Sequence, residues 1–136
     1  MVYSSTYNFL FIHIPKTGGT SIEHALLPYA TNLPDGTTPK QYRAKHEGRY
    51  TARRIRNWIG HDEWERVHKF AVVRNPYDWL VSICYFNSGK GQSDPSDKEP
   101  LRRFVNTMES HRMWSLKEWL CDENGDLMMD SLIRFE

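Results

Sequence analysis

Phe9-Leu10-Phe11-Ile12-His13-Ile14-Pro15-Lys16-Thr17-Gly18-Gly19-Thr20-Ser21-Ile22 joins an apolar run to a helical pattern through a Pro-Lys-Thr-Gly-Gly-Thr-Ser turn. The run reads as a buried strand over residues 8–14, and a helix is expected over residues 20–27. That layout is an anion-binding loop. A strand delivers the chain to glycines that leave backbone N–H groups bare. The first helical turn adds unpaired N–H groups and the positive end of its dipole. Lys16 adds a mobile positive charge, and Thr17, Thr20 and Ser21 add hydroxyl groups. Gly18 and Gly19 let an oxyanion approach the main chain with no Cβ in the way. The bland alternative is an ordinary strand-to-helix turn with Thr20 or Ser21 as N-cap.

The loop is not a Walker A motif, whose lysine follows the last glycine, because Lys16 precedes both glycines. A nucleoside or shikimate-type kinase would also require magnesium carboxylates nearby, and none is apparent. No G-x-G-x-x-G dinucleotide fingerprint is present either.

A second segment starts at Phe70-Ala71-Val72-Val73, continuous in apolar character as buried parallel strands are. It runs into Arg74-Asn75-Pro76-Tyr77-Asp78-Trp79-Leu80-Val81-Ser82-Ile83-Cys84-Tyr85. Pro76 suits a first helical turn, and Leu80, Ile83 and Cys84 form an apolar stripe on a helix over residues 76–86. Arg74 therefore falls at the carboxyl end of a strand, where open parallel sheets bind ligands. By itself it fits a structural ion pair equally well.

Together the two segments resemble the sulfotransferases that use 3′-phosphoadenosine 5′-phosphosulfate (PAPS), and most closely the carbohydrate-type, family 2-like branch. That branch's 5′-phosphosulfate loop reads P-K-T-G-G-T-S, matched by Pro15, Lys16, Thr17, Gly18, Gly19, Thr20 and Ser21. Its 3′-phosphate motif reads R-N-P-Y/W-D/E-R-x-x-S-x-Y, matched by Arg74, Asn75, Pro76, Tyr77, Asp78, Ser82 and Tyr85. One position departs: the family's second arginine is Trp79 here. Arg134-Phe135-Glu136 is similar to the R-F-E strand late in the family core.

The resemblance implies sulfuryl transfer from PAPS to a hydroxyl acceptor, with a carbohydrate favoured as acceptor. Pro15 to Ser21 would hold the 5′ end of the donor, and Arg74 and Ser82 the 3′-phosphate. Lys16 would act catalytically on the charge that develops during transfer, and no metal is needed. In many relatives a K-H element between the motifs brings a histidine to the acceptor, so His46, after Lys45, is the candidate base, with Glu47 in reserve. His13 lies on the strand and reads as a core histidine hydrogen-bonded to a neighbouring loop. The rival reading is a truncated or degenerate relative that binds nucleotide or glycan without turnover. Members of the family continue past the R-F-E strand, so the chain reads as a family core without its C-terminal portion.

Composition bounds the rest. At 136 residues the sequence suits a single domain, 1–136, and 39% hydrophobic content with five Trp and seven Tyr is that of a globular chain. The segment Lys40–Arg56 holds seven Lys/Arg against one Glu, a positive rim suited to the donor or to an anionic glycan. A formal net charge of +1 argues against a nucleic-acid partner. Cys84 and Cys121 are too far apart to suggest a zinc site. With neither a leader-like N-terminus nor an anchor-length apolar run, a cytoplasmic location is expected. The oligomeric state is left open.

Further elements are expected as helices over residues 51–59, 101–108 and 115–121 and a strand over 127–135. Residues 87–100, polar and rich in Gly and Ser, read as an acceptor-side lid. The fold class is α/β, a P-loop-like three-layer sandwich with a small central parallel sheet flanked by helices.

Overall fold

The computed structural model describes residues 1–38, 41, 50–87, 98–107 and 115–136. The chain forms β1 (Val2–Ser4), β2 (Phe9–Ile12), α1 (Gly19–Leu26) with a 3₁₀ turn at Leu27–Tyr29, α2 (Ala52–Ile59) and α3 (His61–Arg66). It continues through β3 (His68–Val73), α4 (Pro76–Asn87), α5 (Glu99–Thr107), α6 (Leu116–Leu120) and β4 (Ser131–Arg134).

The strands lie in the order β1-β2-β3-β4. β2 pairs parallel with β3, Ile12 opposite Ala71, and β3 pairs parallel with β4, Val73 opposite Arg134. β1 instead pairs antiparallel with β2, Val2 opposite Phe11. The sheet is thus mixed, not the parallel sheet expected from sequence. Only residues 5–8 separate β1 from β2, far fewer than a parallel crossover requires, so the chain must fold back as a hairpin. Asn8 makes the last step of that turn at φ 54, a left-handed angle that Asn tolerates.

Alternation along β2 sorts the core into two layers. Leu10 and Ile12 face α2, α3 and α6, packing with Ala52, Ile55, Ile59, Trp64, Trp119 and Leu120. Phe11, with Val2 and Val72, faces the other way, where Ile22 and Leu26 of α1 cover it. Phe11 and Phe70 meet across the β2–β3 pair with ring centroids 5.2 Å apart. Helices therefore flank the sheet on both faces, as the three-layer reading requires.

Local signals explain the element ends. Thr51 is the N-cap of α2, its hydroxyl accepting the Arg54 N–H, and Gly60 stops the helix at φ 86. The strand expected over 127–135 is shorter, because Leu127 and Met128 pair back onto Cys121 and Leu120 before the chain joins β3 at Asp130. The Asp130 carboxylate accepts the Lys69 N–H at 2.7 Å and lies 3.0 Å from the Lys69 ammonium. That ammonium, almost wholly buried, also donates to the Trp64 and Val67 carbonyls. The buried lysine thus joins the end of α3 to the start of β4. Among the described residues no helix is long and apolar enough to cross a membrane.

Candidate active site

Because β2, β3 and β4 are parallel, their carboxyl ends open on one edge of the sheet. There β2 leads into 13–21, β3 into Arg74 and Asn75, and β4 into Phe135 and Glu136. Segments more than a hundred residues apart in sequence become neighbours.

The β2–α1 loop is held in an uncommon conformation. Lys16 takes φ 68 and Gly18 φ 75, both left-handed. Thr17 between them is fully buried, and its hydroxyl donates to the Ile14 carbonyl at 2.8 Å. That O–H closes the turn and is committed within the chain's own backbone. Gly18, not Thr20 or Ser21, is the N-cap of α1, and no side chain caps the helix. The N–H groups of Gly19 and Thr20 in its first turn have no side-chain cap and are left to a ligand or water. Ser21 N–H bonds the Gly18 carbonyl at 3.2 Å, and the side chains of Thr20 and Ser21 are exposed.

The two glycines serve different ends. Gly18 supplies the left-handed angle, and the ring of Phe135 lies against its open side. Gly19 has no unusual angle; a Cβ there would run into the imidazole of His13. His13 is expected from sequence to bond a neighbouring loop, but its partner is on α1: Nδ1 lies 3.0 Å from Glu23 Oε2. Glu23 also holds the N-terminal ammonium of Met1. Burial opposes ionisation of Glu23, yet the hydrogen bonds from His13 and that ammonium, with their charges, bring its pKa down to about 2.

Arg74 reaches across from β3. Its Nη1 donates to the Lys16 carbonyl at 3.4 Å, its guanidinium carbon lies 5.0 Å from the Phe135 ring centroid, and Nε is 3.7 Å from Glu136 Oε1. Nε is buried and has no hydrogen-bond partner among the described residues. The same Glu136 oxygen accepts the Asn75 N–H at 3.0 Å, and Asn75 Oδ1 accepts the Tyr77 N–H at 2.9 Å at the start of α4. From α4, Trp79 Nε1 donates to the Pro15 carbonyl at 2.8 Å. The Lys16 ammonium rests 4.4 Å from the Phe86 ring centroid.

The residues anticipated from sequence are therefore partly assembled. Pro15 to Ser21 and Arg74 form one cluster. Ser82 sits half-buried on α4, and no hydrogen bond among the described residues joins it to Arg74 or the loop. His46 and Glu47 lie outside the described residues. Sequence reasoning assigned no role to Phe135, Glu136, Trp79, Phe86 or Glu23. For the first two, a signal was available in the R-F-E match at the end of the strand expected over residues 127–135. For the others, sequence offered only an aromatic where the motif expects arginine, an aromatic on a helix and a glutamate on a helix.

An uncapped helix behind a left-handed glycine, with an arginine delivered from the neighbouring strand end, is an arrangement in an α/β fold that could hold an anion. The chain matches the model of the Sulfotransferase family over residues 1–136 and belongs to that family. Sulfuryl transfer is the general chemistry that membership supports. No curated protein and no solved structure matches the chain.

Proposed function

We propose that the protein moves a sulfuryl group from PAPS to a hydroxyl acceptor, in a P-loop-like site at the carboxyl edge of the sheet. The observation that carries this is the junction of two anion-seeking elements: the uncapped, glycine-fronted start of α1 and Arg74, linked by the Arg74–Lys16 contact. Nε of Arg74 is buried, lies 3.7 Å from Glu136 Oε1 and has no hydrogen-bond partner among the described residues, so the guanidinium keeps donor capacity, which fits a site made for a multiply charged nucleotide.

In this reading the acceptor oxygen attacks sulfur in line, the bond from sulfur to the bridging phosphate oxygen breaks, and the acceptor proton passes to a base. The loop N–H groups and Lys16 stabilise charge on the sulfuryl oxygens and on the departing phosphate. Lys16 must leave the Phe86 ring to do so. Arg74 and Ser82 hold the 3′-phosphate, which separates the donor from ATP and AMP. His46, or Glu47 in its place, accepts the proton. The acceptor is a carbohydrate hydroxyl, and the basic segment Lys40–Arg56 favours an anionic glycan. A cytoplasmic location completes the reading.

The test is a thermal shift with the product nucleotide, 3′,5′-adenosine diphosphate, beside AMP and ATP–magnesium. A ligand at 100 times its Kd stabilises the fold by about 2.7 kcal/mol, a shift of several degrees for a domain of this size. Selective stabilisation by the 3′-phosphorylated nucleotide supports the reading, and equal or absent shifts oppose it. Binding without transfer to any hydroxyl in a PAPS acceptor screen would favour a non-catalytic relative instead.

A further inference from the structure

The residue that departs from the family motif has a specific partner. Trp79 stands where the motif has arginine, is 9% exposed, and gives its indole N–H to the carbonyl of Pro15, immediately before Lys16. We propose that Trp79 is a positioning residue for the donor site, aiming the Lys16 N–H through the peptide unit that joins Pro15 to Lys16. The proposal rests on the donor reading given above.

The reasoning is geometric. The described chain has no cis peptide bonds. In a trans peptide unit the C=O and N–H point in opposite directions across a rigid plane. Holding the Pro15 oxygen toward α4 therefore turns the Lys16 N–H away from α4. Arg74 does the same one unit later: Nη1 holds the Lys16 oxygen, which orients the Thr17 N–H. Two consecutive N–H groups at the front of the loop are thus aimed by donors on the β3–α4 segment. The hold is needed because Lys16, not a glycine, sits at φ 68. A side-chain-bearing residue there persists only where its surroundings impose the angle. Arginine and tryptophan share a side-chain N–H donor but differ in charge, so Trp79 keeps the donor and dispenses with the cation. Its buried ring also makes packing a competing explanation, and the experiment must separate the two.

The experiment compares wild type, Trp79→Phe and Trp79→Arg, with melting temperatures without ligand and the Kd for 3′,5′-adenosine diphosphate. Phe keeps an apolar ring and removes the donor. Arg keeps a donor and gives up the ring. The expected result is about a tenfold weaker Kd for Trp79→Phe, the scale of one hydrogen bond, with Trp79→Arg the tighter binder of the two. A purely packing role predicts the reverse order, because arginine fills a buried apolar site worse than phenylalanine, and that order overturns the proposal. If either variant does not fold, the wild-type protein decides by amide NMR. A ligand-induced shift of the Lys16 N–H, with the Trp79 indole proton staying protected from exchange, supports the proposal; an unmoved Lys16 N–H overturns it. A wild type that does not bind the nucleotide overturns the donor reading and this inference with it. A wild type that binds, with Trp79→Phe its equal, overturns this inference alone.

Discussion

The ring of Phe135 occupies the space that a side chain on Gly18 would need: a Cβ there would lie 2.5 Å from Phe135 Cε2. The last described strand thereby closes over the loop that follows the second. The same ring carries the Arg74 guanidinium. One aromatic side chain thus touches both halves of the candidate site, and substitutions at Gly18 should be felt at Arg74.

Gly18→Ala should cost about 1–2 kcal/mol in denaturant unfolding, from the left-handed angle at φ 75 together with displacement of Phe135. Phe135 is half exposed and can yield, so the protein should still fold. Adding Phe135→Ala should recover the steric part and leave the backbone part. A double variant no more stable than the sum of its singles would refute the contact.

Gly19→Ala should behave opposite to helix propensity. In an open helix the change favours folding by up to about 1 kcal/mol. Here the new methyl would strike His13, and His13 cannot easily yield because its Nδ1 is held by Glu23. We expect a net loss of about 1–3 kcal/mol. Combining it with His13→Ala should give a favourable coupling energy in a double-mutant cycle.

Lys16→Ala should lower kcat for sulfuryl transfer by about a hundredfold or more while weakening 3′,5′-adenosine diphosphate binding far less. Steady-state kinetics with PAPS beside nucleotide titration checks this. Equal losses in turnover and in product affinity would remove the transition-state role.

Arg74→Ala should weaken nucleotide binding by about 1.5–3 kcal/mol, the scale of a hydrogen bond to a charged group. Arg74→Lys should recover only part of it, because a single ammonium cannot serve both the Lys16 carbonyl and a phosphate with a planar fork. Calorimetric titration gives both values, and an unchanged Kd for Arg74→Ala would sink the assignment.

Acid stability should depend on Glu23. Its folded pKa of about 2 lies below the ordinary 4.5, so its ionised form stabilises the fold fully above pH 4.5, and that contribution is lost as pH falls toward 2. The linkage amounts to about 3 kcal/mol at neutral pH. Glu23→Gln should lose much of this at pH 7 and show a shallower fall in stability between pH 5 and pH 2, as denaturant melts across that range would report.

Local chemistry made much of this protein legible in its residues. The apolar run at Phe9–Ile12, Thr51 and Gly60 around α2, Pro76 at the start of α4, and the Pro15–Ser21 loop each announce themselves within a few positions. There, hydrogen bonding and backbone sterics act between near neighbours. Other features have no local trace. β1 is three residues long, and α3 is mostly polar with the one buried Trp64, so neither carries a period to read. That Lys16, rather than Gly19, takes a left-handed angle, and that Gly19 is glycine because of His13, follow from packing across the loop. Trp79 on Pro15, Phe135 on Gly18 and Glu136 on Asn75 depend on three parallel strands ending at one edge. Such contacts arise only when the hydrophobic core brings distant segments into register, because hydrogen bonds and ring contacts act over a few ångströms of space, whatever the distance along the chain.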